Sequence, residues 1–75
     1  MGTTEDLADA LARDALAAAK KTDDDTIIPE IDRILEASSS TMQEAFNTAM
    51  RVFVSEERAR QFLNRRLKAF EDKST

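Results

Sequence analysis

The chain has 75 residues, a formal net charge of −4 and no cysteine, histidine, tryptophan or tyrosine. Without these residues it has no disulfide or thiolate metal site, and it lacks the usual general base, the commonest transition-metal ligand and two of the best base-stacking side chains. With a single glycine it also lacks the phosphate-loop, dinucleotide-binding and EF-hand motifs, so we expect no catalytic, cofactor or metal site.

The first predicted helix covers residues 4–21. Its apolar side chains recur three and four residues apart, as one face of a helix requires. They are Leu7, Ala8, Leu11, Ala12, Ala15, Leu16 and Ala19. Because most of them are alanines, this helix can approach a neighbour closely but buries little area.

The second predicted helix covers residues 29–37, after a polar break at 22–26. Pro29 suits the first turn of a helix, and it biases the preceding Ile28 toward an extended conformation. The expected buried face of this helix consists of Ile31, Ile34 and Leu35.

Two polar clusters flank this helix, and neither predicts chemistry. Asp23, Asp24 and Asp25 lack the glycine and the spacing of about twelve residues that a calcium loop requires, so we interpret them as an exposed linker. The hydroxyl residues 38–41 have no histidine or supported lysine to activate them, and capping the next helix explains them. We therefore predict that the protein is not an enzyme.

The C-terminal part carries two apolar faces in different helical phases. The first consists of Met42, Ala45, Phe46, Ala49, Met50 and Phe53, and the second of Ala59, Phe62, Leu63, Leu67 and Phe70. Continuing the first face would turn Glu56 and Glu57 inward, so we expect a break near Ser55 and helices over 41–54 and 55–71. The alternative is one helix about 45 Å long, which would need a partner chain to cover it.

These elements predict an all-α fold, a small bundle of three to four helices completed by dimerisation. Residues 1–75 form one domain, with 1–3 and 72–75 frayed. Of the 31 apolar residues 12 are alanine, while all four phenylalanines lie in the C-terminal half. The first two helices offer too little apolar surface to cover them, and a second copy is the simplest source of more, since two-fold dimers are the commonest soluble oligomers.

The predicted function is a non-catalytic helical protein–protein interaction module, such as an adaptor, a chaperone-like subunit or a structural subunit. It is expected to self-associate as a homodimer or to bind a protein partner. The predicted interface consists of Met42, Phe46, Met50, Phe53, Phe62, Leu63, Leu67 and Phe70.

The charge distribution supplies an alternative function. Residues 1–44 hold 11 acids and 4 bases, net −7, whereas residues 45–75 hold 7 bases and 4 acids, net +3. A basic C-terminal helix is typical of small nucleic-acid-binding regulators. Its candidate contacts are Arg58, Arg60, Arg65, Arg66 and Lys68. The overall charge of −4 and a pI near 4.7 disfavour this alternative, since nucleic-acid binders carry a larger positive field.

No membrane association is expected. Acidic residues occupy the first thirty positions where a signal peptide would carry a basic start and an apolar core. No uncharged apolar run approaches the ~20 residues that span a bilayer. A cytoplasmic location is the expectation by exclusion.

Overall fold

A computed structural model describes residues 2–74, which form three helices and no strand. The helices are α1 (Thr3–Thr22), α2 (Ile27–Ser38) and α3 (Ser40–Ser74). The N-terminal end of α1 lies beside the N-terminal end of α3. Lys20, in the last turn of α1, forms an ion pair with Glu57 of α3, so the two helices run parallel. The helix α2 runs in the opposite direction and carries the chain from the end of α1 back to the start of α3. The predicted all-α small bundle is confirmed.

The turn after α1 uses a left-handed residue. Asp23 has φ 54° and ψ 37°, and its backbone N–H donates to the carbonyl of Ala19. The next N–H, of Asp24, donates to the same carbonyl at 3.2 Å. Lys20 and Lys21 lie in the last turn, where positive charge interacts favourably with the helix C-terminus.

The start of α2 differs from the sequence expectation. Ile28 is helical and not extended, because α2 begins two residues before Pro29. Pro29 is then the third residue of the helix, where its missing N–H would have had no intrahelical partner. Ile31 and Leu35 pack against the core as expected, but Ile34 is 60% exposed and the expectation that it is buried is wrong.

One extended residue, Ser39, joins α2 to α3. It has φ −162° and ψ 108°, and its N–H donates to the carbonyl of Leu35 at 2.7 Å. Its side-chain Oγ accepts the N–H of Met42 at 3.2 Å. Ser39 therefore ends α2 and caps α3, in a cluster whose capping role the sequence predicts.

The expected break near Ser55 is absent. The helix α3 continues from Ser40 to Ser74, so the helices predicted over 41–54 and 55–71 are one element. Glu56 and Glu57, whose inward position would have required a break, stay outside the core of the continuous helix. Glu56 is exposed, and Glu57 is half-buried at its bond to Lys20. The phase of the apolar face changes because α3 is packed along its first half only.

The core is small and lies between α1 and the first half of α3. It consists of Ala8, Ala12, Ala15, Phe46 and Ala49, and Phe46 is the one large side chain among the described residues that is fully buried. Partly buried side chains surround it from all three helices: Leu11, Ile28, Ile31, Leu35, Met42, Ala45, Met50 and Phe53. The alanine face of α1 thus makes the close approach that its composition predicts.

The molecule is elongated because α3 outruns the other helices. At about 1.5 Å per residue the 35 residues of α3 span about 52 Å, close to the longest dimension of 55 Å. The Cα radius of gyration is 16.0 Å, against about 11 Å for a compact chain of this length.

The expectation of frayed ends falls partly on Met1 and Thr75, which lie outside the described residues. Within the described residues α1 begins at Thr3 and α3 continues through residues 72–74.

Replacing Phe46 by alanine is expected to lower the free energy of unfolding by about 3–5 kcal/mol, because it opens a cavity where one ring fills the core. That loss is comparable with the whole stability of a domain this small. The measurement is urea denaturation followed by circular dichroism at low protein concentration. The matched control is Phe62→Ala, which removes a ring that is already 53% exposed. Equal losses at both positions would contradict the assignment of the core.

Replacing Asp23 by glycine is expected to stabilise the protein by about 0.5 kcal/mol, because glycine adopts the left-handed conformation without a Cβ penalty. The control is Asp25→Gly, since Asp23 is the one non-glycine residue with positive φ within residues 2–74. Thermal melts of the two variants measure the difference. A gain at Asp25 as large as that at Asp23 would show that lost charge repulsion, and not backbone conformation, is responsible.

Candidate interaction surface

An open groove runs between α1 and α3. At one end it is lined by Thr4, Glu5 and Asp9 of α1 and by α3 from Thr41 to Phe53. It continues past Val52 and Phe53 to Leu16, Ala17 and Lys20 of α1 and to Glu56 and Arg60 of α3. We call this feature the α1–α3 groove. Its two ends share Val52 and Phe53, so it follows α3 for about five turns.

The two ends of the α1–α3 groove differ in charge. Three carboxylates, those of Glu5, Asp9 and Glu44, line the end near Thr41, and no base lines it. The other end mixes acids and bases. There Arg13 lies over the ring of Phe53, with its guanidinium carbon 5.1 Å from the ring centroid, a distance at which the cation and the ring attract.

Beyond Glu57 the helix α3 extends past α1 and α2. We call residues 58–73 the projecting segment, and every one of them is exposed. Four large apolar side chains, the apolar strip, lie on it with 47–68% of their surface exposed. They are Phe62, Leu63, Leu67 and Phe70. Such a group of exposed apolar side chains on one helix is typical of interaction surfaces.

The projecting segment is also basic. It holds six bases and two acids, net +4. Two of the bases make contacts within the helix: Arg60 donates from Nε to Glu56 at 2.8 Å, and the guanidinium of Arg66 lies 5.1 Å from the ring centroid of Phe62. The other candidate nucleic-acid contacts, Arg58, Arg65 and Lys68, are exposed on the same segment.

The eight residues of the predicted interface fall into two groups. Met42, Phe46, Met50 and Phe53 lie in or against the core of this chain. Phe62, Leu63, Leu67 and Phe70 form the apolar strip. Sequence periodicity places both groups on helix faces, but it does not show which face the chain covers itself. Val52, which is 58% exposed and lines both ends of the groove, was missed because it has the helical phase of the second face but lies within the sequence range of the first.

The polar clusters make local contacts. Asp24 Oδ1 accepts hydrogen bonds from the hydroxyl of Thr26 at 2.6 Å and from its backbone N–H at 2.9 Å, and these bonds lower the pKa of Asp24 below its usual value. The hydroxyl of Ser38 donates to the carbonyl of Ile34 at 2.7 Å. Among residues 2–74, no group of three or more acidic side chains is arranged to hold a metal ion.

None of the described helices has a stretch both long enough and apolar enough to cross a lipid bilayer.

The chain matches no protein-family model, and no curated protein or solved structure is significantly similar to it.

Proposed function

We propose that the protein is a non-catalytic helical interaction module that self-associates as a homodimer through its projecting segment. The observation that carries this proposal is the apolar strip: Phe62, Leu63 and Leu67 lie together on a helix with about half of each side chain in water. Neither α1 nor α2 reaches that part of α3, so within this chain the strip stays uncovered and is available to a second copy.

The size of the strip sets what a partner must supply. Burying the exposed half of a large apolar side chain contributes about 1 kcal/mol, so two copies of the strip contribute about 8 kcal/mol. The loss of translational and rotational freedom on association costs about 4–15 kcal/mol. The strips alone are therefore marginal, and a stable dimer needs further surface, for which the α1–α3 groove is available in each copy.

The residue chemistry favours a binding role over a catalytic one. The chain has no histidine or cysteine. The hydroxyls of Ser38 and Ser39 are engaged with the backbone at the joint between α2 and α3. An adaptor, a chaperone-like subunit or a structural subunit would each use an exposed apolar helix in this way.

A small nucleic-acid-binding regulator is the second candidate, favoured by the net charge of +4 on the projecting segment. Helices of this charge bind phosphates by releasing counterions. If this candidate is correct, duplex DNA or RNA will bind at micromolar protein, and affinity will fall steeply between low and moderate salt. Fluorescence anisotropy with labelled duplexes measures this, with the double variant Arg65→Glu/Lys68→Glu as the control. Absence of salt-sensitive binding eliminates the candidate.

The self-association proposal is tested by changing one ring of the apolar strip. Light scattering on a sizing column should give the native protein about twice its monomer mass of 8.4 kDa. Phe62→Glu should give the monomer mass, because a carboxylate in the interface loses its hydration. The matched control is Ile34→Glu, which introduces the same charge at a side chain of α2 that is 60% exposed and lies away from the projecting segment. It should keep the dimer mass.

Circular dichroism of all three proteins checks that each is helical. A native protein that stays monomeric over the whole dilution range would refute homodimerisation. A dimer that survives Phe62→Glu would place the interface elsewhere on the molecule.

A further inference from the structure

We propose that the two copies pair in antiparallel fashion, with the projecting segment of each lying in the α1–α3 groove of the other. This inference rests on the proposed self-association and adds its orientation and register. Both surfaces belong to one chain, so a two-fold axis satisfies both at once and closes the assembly at two copies.

The lengths of the two surfaces agree. Along α3 the groove extends from Thr41 to Arg60, and the projecting segment covers 58–73. When two copies of α3 run in opposite directions, the segment of one lies wholly along the groove of the other if facing residue numbers sum to between about 114 and 118. At a sum of 117 the centre of the pair lies between residues 58 and 59.

The apolar residues of the two surfaces lie on one side of α3. Val52, Ala59, Leu63 and Phe70 follow one another at steps of seven, four and seven residues, and each step is close to a whole number of helical turns. The strip is therefore continuous with the groove. Ala59 falls near the two-fold axis, where its small side chain allows the two helices to approach closely.

The charges favour this orientation over a parallel one. A parallel pair would place two projecting segments, each with net charge +4, beside one another. The antiparallel pair instead places the basic stretch 58–68 of one copy along residues 49–59 of the other, where Glu56 and Glu57 lie, and it brings Lys73 to Glu44 at the acidic end of the groove. Like charges side by side repel, whereas opposite charges steer the two copies into register.

Within that range, a sum of 117 is the register that pairs two opposite charges at the ends of the dimer. Lys73 and Glu44 are 29 residues apart, about eight turns, so they lie on the same side of α3. Their numbers sum to 117, so the two residues lie at the same height along the pair. In an antiparallel pair related by a two-fold axis, the same edge of each helix lies next to that edge of the other. Lys73 of one copy therefore faces Glu44 of the other, at both ends of the pair.

Single cysteines test this register, because the chain has none of its own. Glu44→Cys and Lys73→Cys proteins are mixed, allowed to exchange subunits and treated with a short bismaleimide cross-linker. A covalent dimer is expected in the mixture. Little is expected from either variant alone, since positions 44 and 73 are separated by about 43 Å along α3. The control replaces Lys73→Cys by Lys68→Cys, which lies five residues earlier and about 140° around the helix, and should not link.

The outcomes separate the register from the proposed function. If the native protein is a dimer by light scattering but the mixture does not link, the register is overturned and self-association stands. If Lys73→Cys links to itself, the pair is parallel and the inference is overturned in the same way. If the native protein is a monomer at all concentrations, both fail.

Discussion

The packing of Phe46 against the alanines of α1 is the interaction on which the rest of the structure depends. Ala8, Ala12 and Ala15 have side chains so short that α1 approaches α3 closely and encloses a single ring. Such a contact buries little area per residue, and it extends only as far as the alanine face itself. The position of Phe46, near the start of α3, therefore determines which half of that helix is covered.

The division of α3 into a covered and an uncovered half explains its sequence. Along the first half the apolar residues face α1 and α2, and along the second they face a different direction. A change in the direction of the apolar face shows that the helix has different neighbours there. It does not require the helix to end. The acids at Glu56 and Glu57 mark the place where one set of contacts stops: Glu57 bonds the last turn of α1, and Glu56 bonds forward to Arg60 on the projecting segment.

Local patterns predicted most of this fold. The spacing of alanine and leucine defined α1 within a residue at each end, and the apolar residues that follow Met42 defined the covered face of α3. The errors came from long-range packing: Ile34 has a buried helical phase, but no neighbour reaches it. The same limit applies to the interaction surface. Periodicity identified all the large apolar residues, whereas the groove and its acidic end require α1 and α3 to run parallel, which no local pattern specifies.

The continuity of α3 through residue 57 keeps the projecting segment helical beyond the core. An isolated helix of about this length is marginal in water, because starting a helix fixes several residues before the first hydrogen bond forms. Here the turns from Ser40 onward are already held by the core, so the segment only has to propagate a helix that exists. In the proposed dimer the segment meets its partner already ordered, so less conformational entropy is lost on association. The thin core of this protein thus acts as a helix nucleus for the proposed interface, which it does not itself touch.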